Sequence, residues 1–261
     1  MEEDNNWESE VAAFKRNMNA IRLSVNLDLS EDVNFEDADG NIDAGKLVQK
    51  WFPVKEYDVF ISHSHADKEN AVSFAVWLQK HLGLKVFVDS TVWGYSEELL
   101  KELDDEYCFN QESGTYDYNK RNGTTAHVHL MLAMTLQEMI NKSECFIFMN
   151  SSNSLSLLLN QQLKTKSPWI FEELKTTIII GKIPPTRSTY LEELRRRHGD
   201  NMQNFAKKDL NIIYPVSPEL NKLAQLTTRN LKEARTYYGK NKFKMHGLDV
   251  LYSRTSLKIS D

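Results

Sequence analysis

The sequence predicts an α/β fold, a mainly parallel sheet with helices on both faces, elaborated at its N- and C-terminal ends. Three observations predict it. Short strand-like runs at Tyr57–Ile61, Lys85–Asp89 and Glu144–Met149 are separated by longer segments with apolar residues at helical spacing. Gly83 stands where the first of those helices should stop, and Ser167-Pro168 where a later one should start. Strand, helix, strand, helix, strand is the order expected when parallel strands are joined through helical crossovers.

Each element has its own justification. Residues 8–23 carry Val11, Phe14, Met18 and Ile21 at helical spacing and read as an amphipathic helix. Residues 26–45 are acidic and turn-rich. Asp37-x-Asp39-Gly40-Asn41 mimics the start of a calcium loop, but Ile42 stands at the sharp-turn glycine and Val48 at the bidentate glutamate, so a polar turn is expected. Tyr57–Ile61 reads as a buried strand. Ser64-x-x-Asp67 predicts a capping box for a helix whose inner face is Ala71, Phe74, Ala75, Leu78 and Leu82. Lys85–Asp89 is the second strand, and residues 96–106 read as a short helix. Residues 107–124, polar and holding Gly114 and Gly123, read as a loop. Residues 126–140 are apolar on nearly every face and predict a buried helix. Glu144–Met149 is the third strand, and Ser167-Pro168 opens another helix. Thr177–Ile180 and Asn211–Val216 read as further strands, and 219–238 as a helix. The expected organisation is an N-terminal helix and acidic segment (1–54), an α/β domain with insertions (55–216) and a C-terminal helical extension packed on it (217–261).

Composition narrows the function classes. The chain has 261 residues, 41% hydrophobic and 26% charged, as a soluble globular protein does. No apolar stretch reaches the roughly 20 residues of a membrane span, so no membrane partner is expected. Met1-Glu2-Glu3-Asp4 has neither the basic nor the apolar region of a secretory leader. Two cysteines, Cys108 and Cys145, are too few for a disulfide framework or a cysteine zinc site. A reducing, cytoplasmic location follows. The net charge of −5 argues against a dedicated nucleic-acid binder. Charge is uneven, with 12 acidic residues against Lys15, Arg16 and Arg22 in residues 1–45, and 15 basic against 8 acidic in 183–261. That pattern suits either a solvated surface or attraction between the ends or between neighbouring copies, so a homo-oligomer stays open. Arg195-Arg196-Arg197 follows Glu192 and Glu193, which suits a salt-bridged helix better than a phosphate site.

Common catalytic motifs fail. The chain lacks a Gly-x-Gly-x-x-Gly after a strand, a Gly-x-x-x-x-Gly-Lys-Ser/Thr loop and a Gly-x-Ser-x-Gly elbow. His63 and His65, like His127 and His129, are two apart. His127 and His129 fall at a helix start, where such residues face different ways, so capping or hydrogen bonding is expected and no metal. In a parallel sheet ligands sit at the carboxyl ends of the strands. Those ends carry Ser62-His63-Ser64, Asp89-Ser90 and Asn150-Ser151-Ser152. The most informative segment is Ser167-Pro168-Trp169-Ile170-Phe171-Glu172-Glu173-Leu174, which puts Trp169 and Glu173 on one helix face. By itself it reads either as an aromatic wall beside a reactive carboxylate, or as an amphipathic helix with a core tryptophan and a surface glutamate.

Asp58-Val59-Phe60-Ile61-Ser62-His63-Ser64 resembles the first motif of TIR (Toll/interleukin-1 receptor) domains. Leu84–Asp89 resembles their second strand, Cys145–Ser151 their third strand and its loop, and Ser167–Leu174 their Ser-x-Trp-x-x-x-Glu-Leu pattern. The resemblance covers roughly residues 55–180 and implies a TIR/flavodoxin-like sheet. Ile170 stands where the family often has cysteine, and Ser90–Tyr95 lacks the usual Pro-Gly. Trp93-Gly94-Tyr95 and Tyr116–His129 look most like TIR proteins of bacterial anti-phage systems of the Thoeris type. The resemblance implies that Glu173 is a catalytic glutamate of NAD cleavage. It implies that Ser62, His63, Ser64, Asp89, Trp93 and Trp169 bind the dinucleotide, with NAD as substrate and no cofactor. It further implies a nucleotide signal that switches on a separate effector protein. The runner-up expectation is a non-catalytic TIR interaction scaffold. The sequence leaves open the product (ADP-ribose, a cyclic isomer or a conjugate), the trigger, the oligomeric state and the role of the insert 107–125.

Overall fold

The computed structural model describes residues 2–23, 41–52, 54–157, 162–180, 213–241 and 245–255. The acidic turn at 26–40, Arg195–Arg197 and the first two residues of the 211–216 run lie outside the described residues, as does the side chain of Trp93.

In chain order the elements are α1 (Glu2–Leu23), α2 (Ala44–Trp51), β1 (Val59–Ser62), a 3₁₀ turn (His65–Asp67), α3 (Lys68–Leu82), β2 (Val86–Val88) and α4 (Ser90–Tyr107). They continue as β3 (Phe109–Asn110), β4 (Thr115–Tyr116), α5 (Tyr118–Lys142), β5 (Cys145–Phe148), β6 (Ser156–Leu157) and β7 (Leu163–Thr165). Last come α6 (Pro168–Ile179), β8 (Tyr214–Pro215), α7 (Ser217–Leu220), α8 (Thr228–Asn241) and α9 (Gly247–Tyr252). The fold is mixed α/β, with a parallel three-stranded sheet and many helices. Among the described residues, no helix is long and apolar enough to cross a membrane. The chain forms two compact units, Met1–Glu56 with Asp89–Met139, and Tyr57–Val88 with Ile140–Asp261.

The second unit holds the parallel sheet, ordered β2-β1-β5. Val59, Phe60 and Ile61 pair with Val86, Phe87 and Val88 on one side, and with Cys145, Phe146 and Ile147 on the other. Phe87, Phe60 and Phe146 therefore form a row across one face, with ring centroids 5.2 Å and 5.7 Å apart. Side chains alternate along a strand, so Ser62 follows Phe60 on that face and stands opposite Phe148. Phe146 and Phe148 pack on a cluster of Leu155, Ile170, Leu174 and Val216, which seats α6 on the same face. Helix α3 packs on β2 and buries Ala71, Val72, Ala75, Leu78 and Leu82. It ends at Gly83, whose φ of +67° is the left-handed conformation a glycine stop supplies. Helix α8 packs on α3, and α9 on α8.

Several expectations need correction here. The strand at 211–216 exists as β8, but it belongs to an antiparallel sheet, β6-β7-β8, and not to the parallel one. Thr177–Ile180 is not a strand. Ser167 caps α6 by accepting from the Ile170 amide, Pro168 takes its first turn, and the helix runs on through the β-branched residues to Ile179. Thr177 donates back to the Leu174 carbonyl at 2.8 Å, so its hydroxyl is satisfied within the helix. The expected helix at 219–238 is split into α7 and α8. The Ser64–Asp67 capping box does not form, because Asp67 turns its carboxylate to a different loop.

In the first unit, Asp43 caps α2 through the Gly45 and Lys46 amides, and Leu47 and Trp51 are buried. Helix α4 starts at Ser90, ahead of the expected start at 96, so Ser90–Tyr95 is helix and not loop. The expected loop at 107–124 is a short antiparallel hairpin, β3–β4, followed directly by α5. Asp117 starts that helix early: its side chain accepts from the Lys120 amide. Buried Asp104 clamps the insert to α4, accepting from Arg121 Nε at 2.7 Å and Thr124 Oγ1 at 2.5 Å. Helix α5 buries Val128, Leu132, Leu136 and Met139 but leaves Leu130 and Met134 each 59% exposed, so it is not buried all round. His127 and His129 lie well inside α5, not at its start, and both are exposed.

Candidate active site

The parallel sheet itself marks where a site belongs. From β1 the chain crosses to β2 on one side, then to β5 on the other. That reversal is a topological switch point, and in such sheets the usual ligand position is the crevice outside the carboxyl ends of the strands there, here β1 and β5. The β-ladder runs past the strand end, since the Met149 amide donates to the Ser62 carbonyl at 2.9 Å. The loop after β5 thus begins beside Ser62.

Glu173 meets Ser62 at this point. Ser62 Oγ donates to Glu173 Oε2 at 2.5 Å, across 111 residues of sequence, and both residues are 0% exposed. The geometry follows from the chain. Ser62 is placed on the α6-facing side by alternation from Phe60, and Ile170 and Leu174 seat α6 against Phe146 and Phe148. Glu173 lies between those two anchors on the helix and reaches the strand end. This short bond fixes the orientation of the Glu173 carboxyl group. The alternative reading of this helix, a core tryptophan with a surface glutamate, is overturned: Glu173 is the buried residue, and Trp169 is not.

The other expected site residues divide between the units. His63 directly follows β1 and is 0% exposed, and Ser64, half-buried, leads into the 3₁₀ turn. Both share the second unit with Ser62, Trp169 and Glu173. Asp89 and Trp93 belong to the first unit. Asp89 follows β2, is fully buried and caps α4 by accepting from the Ser90 amide.

The opposite end of the sheet carries Tyr252 and Cys145. There Tyr252 donates to the Glu144 carbonyl. Burial pushes the Tyr252 phenol up, with nearby Cys145 and Glu144 adding to the shift, and burial pushes the Cys145 thiol up to about 12. Both groups stay neutral near pH 7, so neither is a ready nucleophile.

One part of the site was missed by sequence reasoning. Asp67, 5% exposed, accepts from Ser151 Oγ and from Asn153 Nδ2, joining the turn after β1 to the loop after β5. Its signal was Ser151-x-Asn153-Ser154 just past a strand, a pattern of short side chains that bond neighbouring backbone. Comparison with protein-family models, with curated proteins and with solved structures gives no match.

Proposed function

We propose that this chain is an NAD-cleaving enzyme of the TIR type, with the parallel sheet as the start of a TIR/flavodoxin-like core covered on both faces. It would release nicotinamide and make an ADP-ribose-derived signal in anti-phage defence. The observation that carries the reading is the fully buried Ser62–Glu173 pair at the carboxyl end of β1.

The chemistry asks for one oriented carboxylate. When the bond between ribose C1′ and the pyridinium nitrogen breaks, its electron pair returns to the ring. Nicotinamide then leaves neutral, and no acid need protonate it. The ribose becomes oxocarbenium-like, as in glycoside cleavage. A carboxylate held against that developing positive charge stabilises the transition state more than the ground state, most strongly where water is excluded. Glu173 supplies the charge, and Ser62 holds it in place. Glu173 then accepts the proton of whatever hydroxyl or amine attacks C1′. Water gives ADP-ribose, an internal hydroxyl a cyclic isomer, and an amino acid or nucleotide a conjugate. His63, Ser64 and Trp169 are the binding residues in this reading, and the resemblance adds Asp89 and Trp93. The signal acts on a separate effector protein in the cytoplasm.

The test is incubation of the purified full chain with NAD, with chromatography of the products, repeated with lysate of phage-infected cells if the chain alone is silent. Stoichiometric nicotinamide release is expected. No release under either condition refutes the enzyme reading and leaves the non-catalytic scaffold.

A further inference from the structure

We infer that Asp67 is a positioning residue: by clasping the loop after β5 to the turn after β1, it sets the affinity of the crevice for a dinucleotide without taking part in bond cleavage. The inference rests on the NAD-cleaving reading above and adds to it a residue that neither touches the reacting atoms nor caps its own helix.

The clasp is built from a complete donor–acceptor set. Asp67 Oδ1 accepts from Asn153 Nδ2 at 2.8 Å, and Oδ2 accepts from Ser151 Oγ. Ser151 Oγ in turn accepts from the Asn153 and Ser154 amides, each at 3.1 Å. Ser154 Oγ accepts from the Ser151 amide at 2.8 Å and donates to the Met149 carbonyl at 3.0 Å. Ser151 and Asn153 thus bond the buried carboxylate directly, and Met149 and Ser154 join them through the loop's own bonds. Asp67 stands at the start of α3, where an aspartate would ordinarily accept from the helix's own first amides. It makes no such bond. Its carboxylate is committed to the facing loop, so the turn after β1 and the loop after β5 are tied together by side chains as well as by the β-ladder. The Ser62–Glu173 pair does not use any of these atoms. Loosening the clasp therefore moves a binding wall and leaves the reacting carboxylate in place.

The decisive variant is Asn153→Asp, because Asn153 is exposed and its replacement does not disturb the core. It sets two carboxylates against each other where an amide donated to one. Steady-state cleavage of NAD should show KM raised about 10-fold, from loss of a charge-assisted hydrogen bond and the repulsion that replaces it, with kcat within about 2-fold of the parent. Adding Asp67→Asn should restore KM. The side-chain amide introduced at position 67 can donate to the carboxylate introduced at position 153, while its carbonyl still accepts from Ser151. Amide exchange at residues 150–154 should quicken in the single variant and slow again in the double. Cleavage by the parent with an unchanged KM in Asn153→Asp overturns the clasp alone. So does a KM that the double variant fails to restore. A parent that never releases nicotinamide removes the NAD reading and this role of Asp67 together.

Discussion

Glu173→Gln is the perturbation that bears most directly on the proposed chemistry. Glutamine has the same shape and keeps an oxygen that can accept from Ser62 Oγ, now 2.5 Å from Glu173 Oε2. The fold should therefore survive, with a melting temperature close to that of the parent. What disappears is the negative charge, in a place with no exposure to water that could compensate. Loss of an electrostatic contact of this kind lowers kcat by about 10²–10³, equivalent to about 2.7–4 kcal/mol of barrier. Glu172→Gln is the control. It sits about 100° round the helix, and its carboxylate accepts from Thr176 Oγ1 at 3.0 Å, a bond that glutamine also accepts. Its turnover should match the parent. Ser62→Ala tests the other half of the pair. It removes the bond that orients Glu173, so about a 10-fold loss of kcat is expected, from the worth of a hydrogen bond to a charged group. The assay is nicotinamide release at saturating NAD, with a thermal melt of each variant. If Glu172→Gln abolishes release and Glu173→Gln does not, the reasoning about this helix is refuted. Full release by Glu173→Gln refutes the electrostatic role itself.

Three further outcomes concern the fold. Gly247→Ala places a Cβ 2.1 Å from the Leu82 carbonyl oxygen, where backbone must move, so a loss of about 1–3 kcal/mol is expected in denaturant unfolding. A Gly123→Ala change meets nothing within 4 Å on α5 and should raise stability by about 0.5–1 kcal/mol; equal effects at the two glycines would contradict the packing described. Burial works to raise the Asp104 carboxyl, but bonds from Thr124 and Arg121 outweigh it and hold it below the ordinary carboxylate range. A folded value depressed in this way contributes stability above the unfolded carboxylate range, and that stability is lost as pH falls through the folded value. Asp104→Asn should thus cost stability at pH 7 and flatten the acid limb of the stability profile, measured by melting from about pH 7 down to about pH 3. A parallel acid limb in the variant would show that Asp104 does not carry it.

The three parallel strands, α3 with its Gly83 stop, and the Ser167-Pro168 start of α6 were legible from sequence alone. They rest on local physics: apolar alternation, a left-handed stop that glycine tolerates, and a side-chain cap next to a proline that gives up no amide bond. The resemblance to the TIR motifs also pointed to Ser62 and Glu173. What local pattern could not decide was competition between near-equal alternatives. Thr177 through Ile180 has the composition of a strand, yet the cap at Ser167 and the burial of Ile170 and Leu174 extend the helix through to Ile179. Asp67 has the spacing of a cap, yet two donors on a loop 84 and 86 residues away outcompete its own helix amides. Trp169 and Glu173 share a helix face, and sequence offered the ring as the buried partner. Only the sheet decided otherwise, because Ser62 at the end of β1 provides the donor that lets a carboxylate be buried at all.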